Sequence, residues 1–172
     1  MSVNEKLASN ALLSKTYDIK YAKFVNKVLK EAADSFEKEQ KFLDDVLLNL
    51  YNIFGDALER ALELYERGRI TYIFPSESAG VPPHNDRHTA RYLVQVKGLS
   101  GAIYILFPDI NYCLCASFRC QVLNDRSLFT CKHVLAVWLT AITKDKLSYQ
   151  YITQEQFQSL LLFQVLDKEY VH

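Results

Sequence analysis

The sequence predicts an α+β fold: N-terminal helices, a small antiparallel sheet or hairpin, a finger clasped by cysteine and histidine, and a C-terminal helix. Three observations predict it. Apolar residues recur at helical spacing in the N-terminal part of the chain and again near its end. Short β-branched and aromatic runs occupy the middle, at Ile70 to Phe74, Arg91 to Val96 and Ala102 to Phe107. Between these strands and the final helix stands Cys113-Leu-Cys115, then fifteen residues (Ala116 to Thr130), then Cys131-Lys-His133. The 172 residues suit a single domain with a sizeable core.

Met1 to Lys15 read as a short, polar, frayed start. From Tyr17 the positions Tyr17, Tyr21, Phe24, Val28 and Ala32 mark one helix face. Lys20, Lys23, Lys27 and Lys30 share the rest, and the expectation is a solvated charged face rather than a strip for DNA backbone or partner docking. Glu31, Asp34 and Glu37 follow and dilute the positive charge. A broader apolar face comes next, with Phe42, Leu43, Val46, Leu47, Leu50, Tyr51 and Phe54, until Gly55 interrupts it. Asp56 with Glu59 three residues on reads as a capping box. The helix it opens runs to about Arg67, buries Leu58, Leu62 and Tyr65, and closes at Gly68.

Ile70 to Phe74 is a strand that Pro75 is expected to end. Ser76 to Thr89, with Gly80, Pro82, Pro83, Asn85 and Asp86, reads as a long loop. His84 and His88 sit in it as solvated histidines rather than metal ligands. The next two strands form a hairpin about Lys97-Gly98-Leu99-Ser100-Gly101, and the second strand leads through Pro108 and Asp109 to Cys113.

Cys113 and Cys115, two apart on an extended backbone, point to one side. Cys131 and His133 would diverge by about 200 degrees on a regular helix, so they straddle a helix start, with Cys131 at the cap and His133 in the first turn. Val134, Leu135, Val137, Trp138, Leu139 and Ile142 fit the helix that follows. A helix N-terminus favours thiolate, the ligating form of cysteine. Three thiolates and one imidazole are the ligand set of a closed, tetrahedral structural zinc site. The competing readings are disulfides, which need an oxidising compartment for which the N-terminus offers no signal peptide, and three ordinary buried cysteines beside a core histidine. Phe118, Val122 and Leu123 suggest one or two helical turns between the ligand pairs. Cys120 lies there and reads as a small buried hydrophobe; using it as the fourth thiolate would leave Cys131-Lys-His133 unexplained. After Thr143-Lys144-Asp145-Lys146 comes a polar connection, then Thr153 and Gln156 cap a last helix rich in Phe157, Leu160, Leu161, Phe163 and Val165. That helix is expected to pack on the core; the alternative is that it fills a partner's groove.

Cys113-Leu-Cys115 and Cys131-Lys-His133-Val-Leu-Ala136, with Ala136 three residues past the histidine, resemble the SWIM-type zinc finger. The surrounding pattern, ITYIFPSESAG, YLVQV, YCLCASF and CKHVLAVWL, resembles the SWIM-domain subunits of the Shu complex over roughly Phe42 to Leu162. The division this implies is an N-terminal helical extension over residues 1–40 and one SWIM-type zinc-finger domain over 41–172, with the finger at 111–142. The resemblance further implies one structural zinc on Cys113, Cys115, Cys131 and His133, and a nuclear protein. It implies a non-enzymatic adaptor that pairs with RecA-like recombinase paralogues in a heteromeric complex. Such complexes promote recombinase filament assembly or stability in homologous recombination, reaching single-stranded DNA through the complex. The other reading, from other bearers of the motif, is direct DNA or chromatin binding.

Twenty basic and twenty acidic residues give zero net charge, and the pI is near 6.9. A chain that clamps phosphates by itself usually carries a basic bias, and only Arg119, Arg126 and Lys132 give the finger a positive edge. No apolar run reaches the roughly 20 residues of a membrane helix, so the expectation is a soluble intracellular protein without membrane or small-molecule partners. No phosphate-cradling glycine motif, nucleophile elbow or three-ligand zinc with a general base is present, which speaks against catalysis.

Overall fold

Strands β1 (Ile70–Ser76), β2 (Leu93–Lys97), β3 (Ile103–Leu106) and β4 (Ser148–Thr153) form one sheet in the order β3-β2-β1-β4. This is a computed structural model, and it describes residues 3–76 and 91–166. The expected loop with His84 and His88 lies outside the described residues, as do the side chains of Tyr17 and Val165. The α+β class stands. β1, β2 and β3 are antiparallel, in register Ile73 with Leu93 and Gln95 with Ile105. The hairpin closes through Gly98 N–H to Ala102 O at 2.7 Å and Gly101 N–H to Gly98 O at 3.0 Å. β4 was not anticipated: the expected polar connection is a parallel partner of β1, from Thr71 with Ser148 to Ser76 with Thr153. β1 also runs through Pro75 rather than ending there. The antiparallel register with β2 stops at Ile73, so among the described residues Pro75 pairs with β4 alone, a place where a missing N–H is tolerated.

The chain divides into two compact units, at residues 53 and 54. The first holds α1 (Val3–Glu39) and nearly all of α2 (Asp44–Phe54). α1 starts at Val3, so the stretch expected to be frayed is helical. Its buried line is Val25, Val28 and Ala32, while Tyr21 and Phe24 are exposed; Val28 and Ala32 lie inside as expected, and Val25 rather than Phe24 is buried before them. The four lysines are exposed, with Lys27 3.7 Å from Glu31 one turn on. Phe36 and Phe42 meet at 4.9 Å across the connection to α2.

In the second unit, α3 (Asp56–Glu66) follows Gly55, whose φ of 52° suits glycine. Gly55 itself occupies the N-cap and no side chain caps the helix. The expected capping box is therefore not made: Asp56 and Glu59 fall inside the first turn, where their charge favours the positive end of the helix dipole. Gly68 ends the helix as expected. Its φ is 60°, and the pair Gly68 N–H to Tyr65 O and Arg69 N–H to Leu64 O is a Schellman closure. Leu58, Ala61, Leu64 and Tyr65 are buried, while Leu62 is only half-buried.

α4 (Lys132–Thr143) packs on α3 and lies against β1 and β2. α5 (Gln154–Leu166) covers the opposite sheet face, where Phe157, Leu160 and Leu161 join Ile73, Leu93, Ile105, Ile152 and Phe107. Its cap is the expected box: Thr153 N–H donates to Gln156 Oε1 at 3.0 Å and Gln156 N–H to Thr153 Oγ1 at 3.3 Å. Core packing thus takes one side of α5, and Leu162 and Phe163 remain exposed. Among the described residues, no helix is long and apolar enough to cross a membrane.

On the α4 side of the sheet, Tyr72, Phe74, Tyr92, Tyr149 and Tyr151 form a run of rings 5.3 to 6.1 Å apart. Burial, then Tyr92, Tyr149 and Asp109, push the Tyr72 phenol up to about 12. The native state keeps a proton that the unfolded chain gives up near pH 10. This contribution to stability is fully present below pH 10 and is lost as pH rises through about 12. Thermal melts of Tyr72→Phe should lose less stability than wild type across that window; identical alkaline profiles would contradict the assignment.

Candidate metal centre

Two stretches of irregular backbone converge beneath the sheet. One leaves β3, passes Asn111 and delivers Cys113 and Cys115. The other passes Phe129 and Thr130 and enters α4. Cys131 is the N-cap, with extended φ −94° and ψ 165°, and His133 lies in the first turn, as the two-residue spacing requires. All four side chains are buried, and their donor atoms lie within 4.8 Å of one another. His133 faces the thiols through Nδ1, 3.8 Å from Cys113 Sγ and 4.0 Å from Cys131 Sγ. A tetrahedral zinc ion with bonds of about 2.0–2.3 Å needs donors about 3.6–3.8 Å apart. The donor set fits that ion, and the separations from His133 Nδ1 to Cys113 and Cys131 Sγ, 3.8 and 4.0 Å, come close to that spacing, within a cluster no wider than 4.8 Å.

The surroundings favour charge on sulfur. Phe118 N–H donates to Cys115 Sγ at 3.3 Å, and the N-terminus of α4 points at the cluster. Hydrogen bonds from Cys113 and Cys131 hold the Cys115 thiol well below its usual range, against burial. Cys113 is pushed far up by its hydrogen bonds to Cys115 and Cys131 and by burial. Crowding and burial thus oppose ionisation of all three thiols together; a dication among them is what would allow it.

Cys120 does not join the cluster. It is exposed, which corrects its reading as a buried hydrophobe. The segment Phe118–Asn124 is a π-helix, with Asp125 N–H bonding Cys120 O. Phe118 is buried, while Cys120 and Leu123 are exposed. Arg119 on this segment and Arg126 two residues past it are exposed, and Lys132 is half-buried.

No family model and no solved structure matches the chain. Among curated relatives, human zinc finger SWIM domain-containing protein 7 is 31% identical over 142 residues, covering 81% of this chain and 91% of the relative. The Mus musculus protein of the same name is 29% identical over 138 residues, 80% and 82% of the two chains. The Danio rerio protein is 31% identical over 113 residues, 66% and 72%. The chain belongs to the zinc finger SWIM domain-containing protein 7 family.

Membership in the zinc finger SWIM domain-containing protein 7 family agrees with the buried cysteine and histidine cluster, and the name is that of a zinc finger rather than of an enzyme. Ala136, the small residue of the SWIM pattern, is fully buried in α4. Three residues around the site escaped the sequence reading. The Tyr104 ring stacks on His133, centroids 4.0 Å apart and planes 27° apart. Its phenol is held above its usual range by burial and by the neighbouring Cys115, Cys113 and Cys131. Asn111 and Thr130 hydrogen-bond each other across the two arms. In the sequence these are a strand tyrosine, a loop asparagine and a loop threonine, with no spacing to set them apart.

Proposed function

We propose that this chain is a non-enzymatic, nuclear adaptor subunit that binds one structural zinc through Cys113, Cys115, Cys131 and His133. It pairs with RecA-like recombinase paralogues and promotes recombinase filament assembly or stability in homologous recombination. The observation that carries the reading is the closed donor set: four buried ligands from two separate arms. Zinc, when bound, supplies a cross-link among three thiolates and an imidazole. A site whose four positions are all filled by protein has none left for a catalytic water. The chain's own part is to hold β3, the π segment and α4 in one arrangement. Zero net charge and the absence of a nucleotide motif from the sequence support the reading that ATP and most DNA contact belong to the partner. The pairing with a recombinase paralogue rests on the SWIM and Shu-type pattern of the sequence.

The test is affinity purification of the tagged full chain from its native source, with zinc measured on the same sample. A RecA-like paralogue with about one zinc per chain is expected, and Cys113→Ser should lose both. A soluble Cys113→Ser protein that retains its partner would contradict the role of the finger. Direct DNA binding by the isolated chain, falling steeply with salt as counterions are released, would favour the DNA-binding reading instead.

A further inference from the structure

The two arms that carry the ligands belong to no sheet or helix just before Cys113 and Cys131. A metal held by the four donors would bridge them there; a second bridge stands beside that cluster. Asn111 Nδ2 donates to Phe129 O at 2.9 Å, and Thr130 Oγ1 donates to Asn111 Oδ1 at 2.7 Å. A backbone carbonyl can only accept, so the amide nitrogen must face Phe129 and the amide oxygen is left to take the hydroxyl proton. Thr130 is 1% exposed and immediately precedes Cys131, and Asn111 stands two residues before Cys113. One amide thus clamps both arms within two residues of a ligand on each side.

We infer that Asn111 is a positioning residue of the metal site, a metal-independent latch that keeps the Cys113 and Cys115 arm against the Cys131 and His133 arm and so slows loss of the ion. This rests on the reading that the four residues take zinc. Escape of an ion held by both arms requires the arms to part, and the latch must open for that. Partners behind the ligands typically change metal affinity 10–100-fold when removed, and the same order is expected here in the release rate.

The experiment is zinc release from the folded full chain to excess 4-(2-pyridylazo)resorcinol, followed by absorbance. Asn111→Ala and Thr130→Val should each speed release about 10–100-fold. The double variant should be no faster than Asn111→Ala, which already removes both hydrogen bonds of the latch, of which Thr130→Val removes one. Thr130→Ser, which keeps the hydroxyl, should restore most of the slow release. Thr153→Ala removes the cap of α5, far from the ligands in sequence, and should leave release unchanged while lowering the melting temperature. The inference is overturned if both singles release zinc at the wild-type rate, if their effects multiply, or if Thr153→Ala accelerates release equally. Thr130→Val keeps the test open should Asn111→Ala not fold. Wild-type protein without zinc would overturn the zinc reading itself, and its metal content shows this before any variant is made.

Discussion

Cys131→Ser should abolish zinc binding and unfold the finger while leaving the start of α4 chemically intact. Cys131 is the N-cap of α4 and is fully buried. Serine is among the best N-cap residues, so the substitution removes a ligand without removing a cap. Structural zinc contributes apparent binding energies of about 10–16 kcal/mol in finger peptides. A whole domain is stable by only about 5–15 kcal/mol. Losing one of four ligands should therefore cost a share comparable with the total. The readouts are metal content and the fluorescence of Trp138, the single tryptophan, whose ring lies 6.2 Å from that of Phe129 on the arm leading to Cys131. A zinc-free variant with the wild-type melting curve would show that the ion does not hold the finger.

Leu135→Ala should be the next most damaging change. Leu135 is fully buried on α4, the helix that carries His133, packs on α3 and lies against the sheet. Deleting a buried leucine side chain costs about 2–5 kcal/mol, because transfer free energy and the cavity left behind add. Against a typical domain stability of about 5–15 kcal/mol, that is a large share. Urea unfolding of the zinc-loaded protein should show a lower midpoint with an unchanged slope. Val137, half-buried on the same helix, should cost less when changed to alanine. A loss below about 1 kcal/mol at Leu135 would mean that the site collapses to fill its cavity.

What could be read from the sequence was whatever local chemistry constrains over a few residues. The ligand pairs are separated by one residue each, and since Cys131 and His133 would diverge on a regular helix, a helix that starts between them brings them to one point; α4 begins there. Gly68 and the Thr153 and Gln156 box likewise act within a turn, and both act as expected. The capping pattern at Asp56 and Glu59 misled because Gly55, at φ 52°, took the cap position itself. Cys120 misled because it stands two residues from the buried Phe118, a spacing that puts it on the opposite, exposed side of a helix. β4 pairs with a strand more than seventy positions away, and a run such as Ser148-Tyr-Gln-Tyr does not reveal which neighbour will cover it. The Asn111 bridge shares that difficulty. It joins residues 18 and 19 apart through a contact that exists only once the two arms have met.

Whether Cys113, Cys115, Cys131 and His133 hold one zinc ion together is settled by X-ray absorption at the zinc edge, on full-length protein purified without added metal. One zinc per chain is expected, with three sulfur neighbours at about 2.3 Å and one nitrogen at about 2.0–2.1 Å. A folded protein without zinc, or zinc with an oxygen from water in place of one of these donors, would contradict it.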